Sequence, residues 1–304
     1  MKGVFFIVGP TATGKSELAA DVAHAVGAEI VSADAFQIYR GLSLLTAKPD
    51  ASITDKVPHH LLGAFSLSEE MNAEIFRGEA NNAIQSIQAR GNRVMVVGGS
   101  GLYIKALTHG LSSLPAADAE LRRQLNELST DELGARLSQL DPAMAARIDL
   151  KNRRRLIRAA EICLLTGQPV AAQRNTWHSM TADEEADPPV GVFVFRDRDD
   201  LYGRINQRVE RMFEQGVIDE VREITETSAT AAKTLGLSEL RALIDGGISR
   251  AQCVEGMQQA TRRYAKRQLT WFRRQTNFEP LNLSLLSHVE AVEWITERVL
   301  SLSR

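Results

Sequence analysis

The sequence predicts an α/β fold, a parallel-sheet core interrupted by a helical insertion. Three observations carry this. Short apolar runs alternate with helical patterns in the N-terminal third, as they do when strands are buried on both faces. A glycine-rich phosphate loop, G-x-x-x-x-G-K-[ST], stands where the first strand turns into the first helix. Between Leu114 and Pro189 strand-like runs cease and helix formers dominate.

In chain order, Val4 to Val8 reads as the first strand. Gly9-Pro10-Thr11-Ala12-Thr13-Gly14-Lys15-Ser16 follows as the phosphate loop, and Ser16 to Val26 as a helix. Strand, glycine loop and helix in that order predict a core of the P-loop NTPase type. Glu29 to Ser32 reads as a second strand, Ser68 to Gly91 as a helical stretch, Arg93 to Val97 as a third strand and Val190 to Phe195 as a fourth. The intervening segment predicts helices over Ala119 to Leu128, Asp131 to Leu140 and Asn152 to Leu165. Asp183 to Pro189, acidic and ending in two prolines, reads as a loop or linker. Past Phe195, Ile205, Val209, Met212 and Phe213 make a helical stripe that Gly216 ends. The expected division is a discontinuous core, 1–113 with 188–304, and a helical insertion, 114–187.

With 304 residues, 44% apolar and 24% charged, the chain has the composition of an ordinary globular protein. A net charge of -2 names no polyanion partner, so such a partner has to be read from local clusters. Cys163 and Cys253 lie in apolar-periodic segments and read as buried, reduced thiols. No run approaches the ~20 apolar residues of a membrane span. Val4 to Val8 is too short for a signal-peptide core. A cytoplasmic protein with no membrane partner is expected. His59 and His60 are adjacent and match no metal-ligand spacing, so they read as structural or substrate-facing.

The glycines of the loop let backbone N–H groups close around phosphate oxygens. Lys15 adds a positive charge, and the Ser16 hydroxyl reaches a magnesium ion, Mg2+. Asp34 lies just past the second strand, where ligands bind in open α/β sheets. An aspartate there reads equally as a turn or helix cap. The next strand tilts the balance, because it ends in Gly98-Gly99-Ser100-Gly101, with no carboxylate to organise metal and water for hydrolysis. Group transfer to an acceptor fits better, with Asp34 as general base. The glycines allow close backbone approach to a ligand and equally make a tight strand-to-helix turn, and Ser100 offers a hydroxyl at the same mouth.

Two segments are strongly basic. Thr261 to Gln275 holds six basic residues and no acid. On a helix Arg262, Lys266 and Arg273 fall in line beside Arg263, Arg267 and Arg274, with Tyr264, Ala265, Leu269, Trp271 and Phe272 opposite. A wholly cationic face suits a phosphate-rich ligand or an RNA backbone. Lys151 to Arg158 is the second cluster, with Arg153, Arg154, Arg155 and Arg158 projecting from a stripe of Leu156, Ile157, Ala160 and Cys163.

Taken together, these residues resemble the bacterial tRNA dimethylallyltransferases over nearly the whole chain. The matching pieces are residues 9–16, Ser32 to Tyr39, Thr46-Ala47-Lys48-Pro49, Val57 to Leu61, Gly98 to Tyr103, Arg155 with Arg158, Ala159, Glu161, Thr166 and Gly167, and Thr261 to Gln268. The resemblance implies transfer of a dimethylallyl group from dimethylallyl diphosphate to the N6 amine of the adenosine 3′ of the anticodon. It implies that Gly9 to Ser16 hold the diphosphate with magnesium, and that Asp34 is the base. It places Ser100, Arg122 and Arg204 at the reaction. It assigns tRNA contacts to Asp34, Ala35, Phe36 and Gln37, to Arg153, Arg154, Arg155 and Arg158, and to Arg262, Arg263, Lys266 and Arg267. It implies that the insertion grips the tRNA anticodon loop, and a monomer is expected. Ala35, Gly63 and Leu235-Gly236-Leu237-Ser238-Glu239 depart from the family pattern and bear on fine substrate contacts. A transferase acting on free adenylate would not need the basic insertion. A small-molecule kinase and a non-enzymatic RNA-binding protein remain as alternatives, the last disfavoured by intact Lys15, Ser16 and Asp34.

Overall fold

Five consecutive apolar residues, Val4–Val8 (β1), are all buried, because the strand has neighbours on both edges and helices on both faces. The computed structural model describes residues 3–111, 114–170, 190–275 and 277–301. The expected linker, Asp183 to Pro189, lies outside them. The other strands are β2 (Ala28–Ser32), β3 (His59–His60), β4 (Arg93–Gly98), β5 (Val190–Phe195) and β6 (Glu279–Asn282). They form one parallel sheet in the order β3-β2-β4-β1-β5-β6. Crossovers run both ways from β1, so the carboxyl ends of β1, β2 and β4 open onto one crevice, where such sheets bind ligands.

Two compact units divide the chain, Met1–Thr108 with Asp187–Arg304, and His109–Ala186. In the first unit the helices are α1 (Lys15–Val26), α2 (Ala51–Thr54), α3 (Ala73–Ala89) and α4 (Gly101–His109). The second unit holds α5 (Ala119–Glu127), α6 (Thr130–Leu140), α7 (Pro142–Ala145) and α8 (Arg153–Thr166). The first unit then resumes with α9 (Arg198–Glu214), α10 (Val217–Arg222), α11 (Leu237–Ile244), α12 (Arg250–Phe272) and α13 (His288–Ser301). The expected start of α3 at Ser68 moves to Ala73, because Asn72 caps the helix by accepting from the N–H groups of Glu74 and Ile75.

On one face of the sheet Leu18, Val22 and Val26 of α1 join Ile295 and Val299 of α13 over Phe5, Ile7, Met95 and Val194. On the other, Phe76, Ile84 and Ile87 of α3 and Ile104 of α4 cover Phe6, Val94, Val96 and Phe193, with Phe272 of α12. The stripe Val209, Met212 and Phe213 of α9 packs instead on Leu42, Leu45, Leu237, Cys253 and Met257. The second unit has its own core of Leu125, Leu133, Leu137, Leu156, Ile162 and Cys163. Both cysteines are buried and unbridged, and burial pushes the Cys253 thiol up to about 11. Among the described residues no helix is long and apolar enough to cross a membrane.

Candidate active site

The phosphate loop is built for an anion. A Cβ at Gly9 would stand 2.1 Å from the Val194 carbonyl oxygen, so only glycine lets β1 and β5 close there. Ala12 and Gly14 take left-handed backbone conformations, with φ of 65° and 92°, the kind of turn that points successive N–H groups into a concavity. The helix α1 then starts with no side-chain cap, leaving its first N–H groups for a ligand. The Thr13 hydroxyl donates to the Pro10 carbonyl (3.0 Å), and the Lys15 ammonium to the same oxygen (3.1 Å).

Facing the loop is a cavity of about 600 Å³, lined by Lys15, Ser16, Asp34, Lys48, Arg204 and Arg208 among others. Its polar wall is cationic. Burial lowers the Lys15 pKa to about 8, against a raising pull from Asp34, with Arg208 lowering it further. Arg208, on α9, donates to the Thr11 hydroxyl (2.8 Å), its Nε is buried with no partner among the described residues, and burial lowers its pKa to about 10. Arg204, one turn earlier, donates to the Ala12 carbonyl (2.9 Å) from a more exposed position. Arg196, just past β5, ties the Thr13 carbonyl (2.8 Å) to Asp200 (2.9 Å) and the Leu283 carbonyl (3.0 Å). Arg208 and Arg196 were missed by sequence reasoning. The spacing Arg204, Arg208, Arg211 beside the α9 stripe was the available signal, since it puts three cations on one helical face.

Asp34 stands across this cavity at the carboxyl end of β2. Its Oδ1 accepts from the N–H groups of Phe36 (2.9 Å) and Gln37 (3.2 Å), while Oδ2 has no partner among the described residues. The turn-cap reading of this residue is thus seen on one oxygen, and the other carboxylate oxygen is left without a partner among the described residues. Ser100 is buried and its hydroxyl accepts from the Ala35 N–H (2.9 Å). Tyr264 of α12 lies within electrostatic reach of Asp34, and burial, then Asp34, pushes its hydroxyl well above the usual range. Gln37 is committed through Nε2 to the carbonyls of Thr46 (3.1 Å) and Ala47 (2.9 Å), and Glu220 accepts from the N–H groups of Leu44 (2.7 Å) and Leu45 (2.8 Å). These bonds fix the Leu44–Lys48 loop as a wall of the cavity. His59 lines the same cavity, and its Nδ1 bonds the Val57 carbonyl (2.8 Å), while His60 bonds the buried Glu29 carboxylate (2.7 Å).

The glycines after β4 act differently from one expectation. Their room is taken by the chain itself. A Cβ at Gly98 would meet the Ala33 carbonyl at 2.2 Å, one at Gly99 would meet Gln268 at 2.3 Å, and one at Gly101 would meet the Trp271 ring at 2.6 Å. They permit close packing of the chain on itself, and Gly98 also lines the cavity.

The cationic helix face is present on α12. Arg263, Lys266, Arg267 and Arg274 surround Trp271 in a shallow cleft of about 430 Å³. Arg262 is partly withdrawn from it, bonding Asn206 (3.3 Å) and lying over the Tyr202 ring. In the second unit, Arg154 and Arg155 are exposed, with no side-chain partner among the described residues. Two other arginines are engaged within their own unit. Arg158 and Arg122 both grip Glu161, whose carboxylate is 0% exposed, at 2.5 Å and 2.8 Å, and Arg158 also holds the Pro115 carbonyl (2.7 Å). A buried carboxylate has to be paired, and these two guanidiniums pair it while staying 42% and 33% exposed themselves, Arg122 and Arg158 in that order. Arg153 donates to the Asn126 carbonyl (2.8 Å).

Residues 37–275 match the family model described as IPP transferase. The chain belongs to the IPP transferase family. It is 43% identical over 273 residues to a tRNA dimethylallyltransferase of Citrifermentans bemidjiense, with 88% of each chain covered. It is 42% identical over 272 residues to a tRNA dimethylallyltransferase of Akkermansia muciniphila, covering 89% of this chain and 90% of that one. The fold is similar to the crystal structure of the tRNA isopentenylpyrophosphate transferase of Bacillus halodurans, with TM-score 0.70, 33% identity, and 100% and 98% of the two chains covered. It is also similar to a eukaryotic dimethylallyltransferase acting on tRNA, with TM-score 0.75, 25% identity, and 93% and 74% covered. In this IPP transferase Gly63 and Gly236, two of the residues that depart from the family pattern, take left-handed conformations. Gly236 has φ 86° and a Cβ there would stand 2.7 Å from Met257 Cε, while Leu237 is fully buried.

Proposed function

We propose that this chain transfers a dimethylallyl group from dimethylallyl diphosphate to the exocyclic N6 amine of the adenosine 3′ of the anticodon in tRNA, releasing diphosphate. One observation carries the reading. A carboxylate with one oxygen capped and the other open, Asp34, shares a cavity with an uncapped phosphate loop and the cations Lys15, Arg204 and Arg208. The names of the relatives support tRNA as the acceptor and dimethylallyl as the group transferred.

The chemistry follows from the charges. As the bond from C1 to the diphosphate oxygen breaks, its electron pair leaves on the diphosphate, and Lys15, Arg208, Arg204 and the loop N–H groups stabilise that charge. The amine nitrogen forms the new bond to C1, and its proton passes to Asp34 Oδ2. Ser100 and the N–H groups of Phe36 and Gln37 hold the Asp34 turn in place. Among the described residues there is no cluster of three or more His, Cys, Asp or Glu side chains fit to hold a metal. The donor set instead suits magnesium, which favours one hydroxyl, substrate phosphate oxygens and water, and Ser16 would supply that hydroxyl. When bound, the ion offsets part of the diphosphate charge.

Cations of two kinds are offered to tRNA in this reading, the α12 face and, separately, Arg154 with Arg155 in the helical insertion, residues 114–187. The anticodon loop suits the site because an unpaired base leaves its stack at low cost. We further propose a cytoplasmic monomer. The test is incubation with dimethylallyl diphosphate, magnesium and unmodified tRNA, followed by nucleoside mass analysis. Prenylated adenosine in tRNA is expected. Prenylation of free adenylate with none in tRNA, or phosphoryl transfer from a nucleotide, overturns the proposal.

A further inference from the structure

The helix α12 turns two faces to two jobs. Outward it carries Arg263, Lys266, Arg267 and Arg274. Inward, in the same turns, it carries Gln268, which is 6% exposed and chemically unlike its surroundings. The Gln268 Oε1 accepts from the Thr11 N–H at 2.9 Å, and its Nε2 donates to the Gly99 carbonyl at 2.9 Å. One buried amide thus joins the phosphate loop after β1 to the turn after β4. The fit has no slack, since a Cβ on Gly99 would stand 2.3 Å from Gln268 Nε2 and 2.9 Å from the Gly9 carbonyl oxygen.

Thr11 is fixed twice. Gln268 takes its N–H and Arg208 takes its hydroxyl. No bond within the loop holds this residue among the described residues, so its placement depends on α9 and α12. The turn after β4 also carries Ser100, whose hydroxyl orients the Asp34 segment. The diphosphate cradle and the base are therefore referenced to one side chain.

We propose that Gln268 is a positioning residue, which sets the phosphate loop for diphosphate and locks it to the turn that orients Asp34. It touches no reacting atom. The proposal rests on the diphosphate-site assignment above and adds the element that aligns it. Its chemistry requires an acceptor and a donor at once. Gln268→Met keeps the length and supplies neither, leaving a buried N–H and a buried carbonyl unpaired. Gln268→Glu supplies only acceptors when ionised, and sets a charged oxygen against the Gly99 carbonyl. Protonated, its carboxyl restores both, an oxygen for Thr11 and an O–H for Gly99.

The test measures inorganic diphosphate affinity with magnesium by calorimetry, and prenyl transfer to tRNA, for wild type and both variants from pH 6 to 8.5. Two lost or mismatched buried hydrogen bonds should weaken diphosphate binding by about 10- to 100-fold in Gln268→Met. The tRNA dissociation constant should stay within about twofold, because the cations facing outward are untouched. In Gln268→Glu the ratio of affinity to wild type should climb towards one as pH falls. Lys15, Asp34, Arg208 and Tyr264 are common to both proteins and cancel in that ratio. A ratio flat with pH, or wild-type diphosphate affinity in Gln268→Met, overturns the proposal. Failure of wild type to prenylate tRNA overturns the functional reading instead, and leaves the diphosphate comparison decisive for Gln268.

Discussion

Raising the pH through 8 should loosen the grip on diphosphate, because Lys15 loses its charge there. Burial lowers its pKa from 10.5 to about 8. The difference of 2.5 units corresponds to about 3 kcal/mol of penalty for keeping the ammonium charged in place, at about 1.4 kcal/mol per unit. The folded pKa lies below the unfolded one, so between the two values the folded chain binds fewer protons. The penalty on folding is therefore full below pH 8 and is relieved as pH rises towards 10.5. Diphosphate supplies the missing counter-charge and draws the proton back. Its affinity should fall by roughly tenfold per pH unit above 8, and at pH 9 binding should take up about 0.9 of a proton. Calorimetry in buffers of different ionisation heat counts that proton directly. Lys15→Arg, charged throughout, corrects for ionisation of the ligand itself. Asp34→Asn should shift the break to lower pH and Arg208→Met to higher, since Asp34 raises and Arg208 lowers the Lys15 pKa. Identical pH dependence in wild type and Lys15→Arg, with no proton uptake at pH 9, would mean that the Lys15 ammonium does not meet the anion.

Three further outcomes are expected. Asp34→Asn keeps the shape and removes the base, so kcat at saturating diphosphate substrate should drop about 10²- to 10⁴-fold; a wild-type kcat would reduce Asp34 to a turn cap. Arg154→Gln with Arg155→Gln should lower the log–log salt slope of tRNA binding by about 0.7 per lost contact without moving Tm, and an unchanged slope would make them ordinary solvated charges. Arg158→Ala should instead destabilise the helical unit, by about 1–3 kcal/mol in denaturant unfolding, because it strips a partner from the buried Glu161 carboxylate; weakened tRNA binding at unchanged stability would return Arg158 to the RNA surface.

The sheet was legible where strands have two neighbours. The strands β1, β2, β4 and β5 are apolar runs, since their side chains meet helices on both faces and their edges meet other strands. The two strands that the sequence hid are the two edges. The edge β3 is only His59–His60, and β6 is Glu-Pro-Leu-Asn, with a proline that an edge tolerates and a central strand does not. Hydrophobic pattern reports burial, and an edge strand is buried on fewer sides. Three helices of the insertion were legible from their runs of helix formers, and the single-turn α7 was not. All four begin at side-chain caps, Asp118, Ser129, Asp141 and Asn152.

The site divides along the same line between local and long-range information. Everything carried by a contiguous motif was visible, the loop from Gly9 to Ser16 and Asp34 in its turn. What the motif could not contain is the partner that arrives from far along the chain, and those partners decide what each charge does. Arg158 and Arg122 look alike in sequence to Arg154 and Arg155, yet one buried glutamate on α8 engages the first pair and leaves the second pair with no side-chain partner among the described residues. Thr11 looks like a loop filler, yet Arg208 and Gln268, 197 and 257 residues away, fix its hydroxyl and its N–H. A cation is available to a ligand only when no nearer carboxylate or carbonyl claims it, and that competition is settled by packing. The catalytic geometry is accordingly a property of α9 and α12 as much as of the phosphate loop, and substitutions on their inner faces should disturb diphosphate binding while leaving the loop's own sequence intact.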